Sequence, residues 1–215
     1  MKRLLFILLL ATSPVFVSAQ MCTDVRLGYI RLLDKNSVNA AGVGGALCRP
    51  LNEKFILTFD ALLYFGGKQN ATLPAEATSF STQPQVIDVP VTRGFILYAG
   101  ALSLRYYFVG DFEDEQGVYG IVGIGATKGR VKNKTIGAYD QSRYYIKNGA
   151  EGNVDGLEGF TANAGIGYEK AIGSIYFLTE AKYHYLVLDN SDAEMTGFVL
   201  PSAFTLDVGL RFPFN

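Results

Sequence analysis

The 215-residue chain has no tryptophan, a single histidine, two cysteines and seven prolines. His184 with Cys22 and Cys48 cannot supply the four-ligand set of a structural zinc site. There is also no excess of either charge: 19 Lys and Arg face 20 Asp and Glu, a formal net charge of −1. Nucleic-acid binders rest on clustered Lys and Arg, so no nucleic-acid partner is expected. No segment past the N-terminal region offers about 18 uninterrupted apolar residues, so no transmembrane helix is expected. No phosphate-binding loop stands out either. Gly120, Gly123 and Gly125 form a loose pattern inside an extended stretch, where packing against aromatic neighbours accounts for them better.

What is present points to β-structure. About half the residues (49%) are hydrophobic, with 13 Tyr, 15 Phe and 24 Gly. Such a composition favours strands. The N-terminus reads as a secretory leader: Lys2 and Arg3, then a short apolar run from Leu4 to Ala11, then Val17-Ser18-Ala19 at the cleavage positions. The run is too short to span roughly 30 Å of hydrocarbon. Cleavage is expected after Ala19, which divides the chain into a leader (1–19) and one domain (20–215). Losing Lys2 and Arg3 takes the net charge from −1 to −3. Met21, not a small residue, precedes Cys22, which argues against lipidation.

Eight stretches read as strands: 25–33, 40–50, 55–66, 93–108, 117–128, 157–171, 174–187 and 203–214. Alternation is clearest in the second half. Ile96, Tyr98, Leu102, Leu104, Tyr106 and Phe108 oppose Ser103, Arg105 and Tyr107. Phe204, Leu206, Val208, Leu210, Phe212 and Phe214 oppose Thr205, Asp207, Gly209 and Arg211. Successive side chains of a strand point to opposite sides, so each strand has one apolar and one polar or small face. The fifth stretch is ambiguous in facing, and the first two are weak. A soluble sandwich also alternates, but three features favour a membrane. The strands are long. Rings recur near their ends, at Phe65, Tyr106, Phe108, Tyr119, Phe160, Tyr168, Tyr185 and Phe214, as suits an aromatic girdle. Short connections (51–54, 109–116, 172–173) alternate with longer ones (67–92, 129–156, 188–202), although the first outer loop, 34–39, is short. Open sheet edges cannot face lipid, so strands in a membrane must close. The expected fold is all-β: an eight-stranded antiparallel up-and-down transmembrane β-barrel, with both termini on the periplasmic side.

The most specific signal is Asp207-Val208-Gly209-Leu210-Arg211-Phe212-Pro213-Phe214, which fits polar-x-Gly-x-x-aromatic-x-aromatic. It resembles the terminal signal read by the outer-membrane barrel-assembly machinery, with Asp207, Gly209, Phe212 and Phe214 at its key positions. Asn215 after the last aromatic is a departure. Residues 20–215 as a whole resemble the small eight-stranded outer-membrane barrels of the OmpA/OmpX type. That resemblance implies a place in the bacterial outer membrane, among lipid and lipopolysaccharide, more strongly than it implies an activity.

Asp60, Arg105, Glu169, Glu180, Lys182, His184, Asp207 and Arg211 fall on the inner faces. An eight-stranded barrel has an interior just filled by side chains. These groups are therefore expected to close the lumen as a polar network, with Asp60–Arg105 and Glu180–Arg211 paired at matching depth. Cys22 and Cys48 fall at one end of two neighbouring strands, and a disulfide is expected in an oxidising compartment. His184 has no serine beside it on its own face; Ser191 lies in the following loop. No catalytic site, cofactor or metal is assigned. The expected role is non-enzymatic, structural or surface-contacting, of a monomer acting through its outer loops. The loop 129–156 is the main contact element, with Arg130, Lys132, Lys134, Tyr139, Arg143, Tyr144, Tyr145 and Lys147. A narrow porin-like channel and a lipid A-modifying barrel enzyme are the alternatives.

Overall fold

The computed structural model describes residues 21–33, 37–146, 152–191 and 200–214, the side chains of 152–154 excepted. The leader expected at 1–19, Lys147 and Asn215 lie outside the described residues. The elements are β1 (Met21–Leu32), β2 (Val38–Pro50), β3 (Phe55–Ala77), β4 (Val86–Val109), β5 (Gln116–Thr135), β6 (Tyr144–Ile146), β7 (Gly152–Ile172), β8 (Ile175–Asp189) and β9 (Ala203–Phe214). Eight of them pair antiparallel in the order β1–β2–β3–β4–β5–β7–β8–β9, and β9 pairs back to β1, closing the ring. The three-residue β6 is a ninth strand outside the ring, attached to the far end of β3.

The weakly patterned first strand is a full member of the wall. Its outward face carries Val25, Leu27 and Tyr29, while Asp24, Arg26, Ile30 and Leu32 are buried inside. The facing of β5 is also resolved. Val122 and Ile124 point outward, and Tyr119 and Ile121 inward. Tyr119 is fully buried in the lumen, so it does not belong to the girdle; the other seven rings expected there face out. Outward Leu102, Ile166, Leu206 and Val208 complete an apolar belt. Leaving that belt in water would cost about 25 cal/mol for each Å² of apolar surface. This outside-apolar, inside-charged arrangement is that of a membrane barrel.

Strand lengths divide the ring into two halves. β1, β2, β8 and β9 have 12, 13, 15 and 12 residues. Twelve residues at about 3.3 Å each, tilted about 40°, rise roughly 30 Å, the thickness of the hydrocarbon core. β3, β4, β5 and β7 have 23, 24, 20 and 21 residues and overshoot it. Most of 67–92 and the flanks of 129–156, expected as loops, are therefore strand. Local sequence explains the miss: the overshoot alternates Gln69, Ala71, Leu73 and Ala75 against polar residues and lacks the long apolar side chains of a lipid-facing strand. The break comes at Tyr64–Gly67, where β3 carries a bulge and Gly66 takes φ +79°. A positive φ is costly for any residue with a Cβ, and the bulge re-aims β3 where its pairing to β2 ends at Phe65.

Candidate functional site

The lumen is layered. At the end bearing the short turns, Cys22, Cys48, Ile56, Tyr107, Tyr119 and Ile121 form an apolar floor, with Phe112 from the 110–115 turn packed into the mouth. At the opposite end Ile30, Leu32, Tyr64, Phe95, Leu97, Val131, Leu157 and Leu200 form an apolar ceiling. Between them lie five carboxylates and four cations.

Arg26 is the hub. Its guanidinium donates to Asp60 Oδ1 at 2.7 Å, Glu180 Oε2 at 2.9 Å and Asp24 Oδ2 at 2.5 Å. Arg105 reaches Asp24 at 2.9 Å and Glu180 at 2.8 Å. Arg211 reaches Asp24 at 3.2 Å and Glu169 at 2.7 Å. Lys182 bridges Glu180 and Asp207, each at 2.9 Å. The Tyr107 hydroxyl donates to Glu169 at 2.7 Å and accepts from Arg211 at 3.1 Å, and the Tyr119 hydroxyl donates to Glu180 at 3.0 Å. Every cation touches at least two carboxylates, the condition under which ions tolerate burial.

The structure thus gathers all eight lumen residues read from the sequence, but not in the expected pairs. Register is the reason. Asp60 stands opposite Ala101, four residues from Arg105, about 13 Å along the strand. Glu180 stands opposite Asp207, four residues from Arg211. The bonds instead run across the lumen through Arg26 and Asp24, both missed by the sequence reading although Asp24-Val25-Arg26-Leu27 alternates polar and apolar. His184 contacts the Thr205 hydroxyl at 3.1 Å and joins no ion pair among the described residues, while Ser191 bonds to the Glu158 backbone.

Two glycines let this packing close. A Cβ on Gly209 would come within 2.4 Å of the Val25 carbonyl and 3.0 Å of Arg26, and one on Gly167 within 2.3 Å of the Tyr119 ring. Gly120 packs on a ring as expected, its Cβ position 3.8 Å from Phe108, but Gly123 and Gly125 do not; their crowding comes from Ser103, Thr161 and neighbouring backbone.

Cys22 and Cys48 are direct cross-strand partners, both fully buried. They stand as free thiols and not as the expected disulfide. With Asp24 they bring three ligand atoms within 4.8 Å. Asp24 already holds three guanidiniums, whose charge opposes a metal ion there.

Above the network a cavity of about 40 Å³ is lined by Asp60, Asn163, Lys182 and His184 below and by Leu62 and Tyr64 above. At about 10–15 Å³ per water it has room for roughly three waters.

Beyond the ring, β3, β4, β5 and β7 continue as one sheet, extended by β6. Its inner face carries a core of its own: Leu73, Ala75, Val89, Val91, Tyr144 and Ile146, with Tyr139 packed against it. Of the residues expected to make contacts in 129–156, Tyr139 and Tyr144 are thus internal. Arg130 pairs with Asp155, and the Tyr145 hydroxyl donates to Glu76 at 2.9 Å. At the hairpin tip Phe80 is 97% exposed.

A closed antiparallel ring with an apolar exterior and a charge-filled interior defines the class: small transmembrane β-barrels. The chain matches no family model and no curated protein. In structure it is similar to Neisserial surface protein A, at a TM-score of 0.58 and 12% identity over 90% of this chain and 97% of that one. It is also similar to a major outer membrane protein from Thermus thermophilus, at a TM-score of 0.53 and 8% identity over 90% and 99%. At these identities the likeness is one of fold.

Proposed function

We propose that this is an integral protein of the bacterial outer membrane, non-enzymatic and non-conducting, whose barrel anchors an extracellular contact platform. Export by Met1–Ala19 and recognition of Asp207–Phe214 by the barrel-assembly machinery would deliver it with both termini periplasmic. The observation that carries the reading is the asymmetric overshoot: only one side of the ring continues outward, and it does so as a packed sheet with Phe80 at its tip. A rigid scaffold that presents exposed tips is how such proteins make contacts. An apolar floor, an ion network and an apolar ceiling across the lumen support the non-conducting part. Single-channel recording in planar bilayers tests it. A silent trace is expected; discrete openings altered by Arg26→Met would refute it. Replacing 68–93 with an Asn-Gly turn should leave a folded barrel. If that variant does not assemble, the sheet is structural and the contact role loses its basis.

A further inference from the structure

We propose that the outward face of the extracellular sheet holds a phosphate-binding trough for the phosphorylated headgroup of an outer-leaflet glycolipid. The inference rests on the outer-membrane reading above and adds a ligand to it. Four basic side chains follow one another at two-residue steps on the outward face of β5: Lys128, Arg130, Lys132 and Lys134. The lower two are neutralised, Lys128 by Glu158 at 2.7 Å and Arg130 by Asp155. Lys132 and Lys134 form no ion pair among the described residues. The register places Lys68 of β3, Gly94 of β4 and Lys132 of β5 in one row. The two lysines thus flank a residue without a side chain, their backbones about 9.6 Å apart across two strand spacings. A Cβ on Gly94 would meet nothing nearer than 3.8 Å, and its φ is not positive. Neither crowding nor backbone demands glycine there, and a strand glycine often marks close approach of a ligand. The next row adds Asn70, Thr92 and Lys134. Asp88, the next outward acid on β4, is six residues past Gly94, about 20 Å along the strand.

The occupant follows from what lies beneath. On the same face of β4, Ile96 and Tyr98 are 42% and 49% exposed, the upper rim of the apolar belt. Gly94 is four residues above Tyr98, roughly 10 Å higher at a barrel tilt of about 40°. That is headgroup depth. Phosphate in the trough with acyl chains on Ile96 and Tyr98 describes one lipid molecule, not a free anion. Lysine serves as the point charge for such a group.

The test uses the full-length protein in phosphatidylcholine nanodiscs containing either bis-phosphorylated lipid A or the same lipid with its phosphates removed. Binding should favour the phosphorylated form. Lys68→Gln/Lys132→Gln should weaken it about thirtyfold, from about fivefold per surface lysine. Gly94→Val, which fills the trough with a strand-favouring side chain, should weaken it comparably, and Lys68→Arg/Lys132→Arg should retain it. All four proteins should keep heat-modifiable gel mobility. Equal binding of the dephosphorylated lipid, or unchanged binding by the glutamine and valine variants, would overturn the site while leaving the membrane reading intact. A wild-type chain that does not enter nanodiscs would overturn the membrane reading and the site with it.

Discussion

Arg26 is the group whose removal the lumen should tolerate least. Arg26→Met keeps most of the apolar stem and deletes the guanidinium. Glu180 would keep Arg105, Lys182 and Tyr119, and Asp24 would keep Arg105 and Arg211. Asp60 would be left with the Thr58 hydroxyl at 3.4 Å while only 3% exposed. The loss therefore concentrates on one stranded carboxylate. Breaking a buried pair from one side costs about 3–5 kcal/mol. At a urea slope near 2 kcal/mol per M, the unfolding midpoint falls by about 2 M. The chain has no tryptophan to report folding, so the folded fraction is best read as heat-modifiable gel mobility in lipid vesicles across a urea series. Arg26→Met/Asp60→Leu removes both ends of the broken pair and should recover most of the loss. A single variant within about 0.5 kcal/mol of wild type, or a double variant no better than the single, would refute the view that the network holds the barrel together.

Other outcomes follow from the same packing. Gly167→Ala should destabilise by about 1–3 kcal/mol through its clash with the Tyr119 ring, while Gly120→Ala, whose nearest neighbour is at 3.8 Å, should leave the urea midpoint unchanged. In the sheet beyond the ring, hydrogen bonds from Ser142 hold the Asp140 carboxyl below its ordinary value. That stability is present above the unfolded carboxylate pKa and is lost as pH falls through the lower, folded value. Amide exchange at Ser142 and Arg143 should therefore quicken on strong acidification, and Asp140→Ala should abolish the pH dependence.

The barrel was legible where period-two alternation is strong. Ile96 to Phe108 and Phe204 to Phe214 announce both faces because large apolar side chains point only outward. β5 was ambiguous because Gly123 and Gly125 occupy inner positions that crowding reserves for glycine. Asp24 and Arg26 on the weakly patterned β1 were not legible, whereas eight lumen residues were, since a buried charge on an alternating strand has only the interior to face. Their pairing was not, because register is set by contacts between strands, and a four-residue offset separated Asp60 from Arg105 and Glu180 from Arg211. The sheet beyond the ring was hidden because its strands carry small and polar residues that match loop composition. The Lys68–Gly94–Lys132 row unites residues from three strands, a relation no single stretch of sequence displays.

Whether this barrel lives in a membrane is decided by fractionating expressing cells and comparing boiled with unboiled protein on a gel. The protein should leave the membrane fraction only with detergent and migrate faster unboiled than boiled. Recovery in the soluble fraction without detergent, with mobility unchanged by boiling, would contradict it.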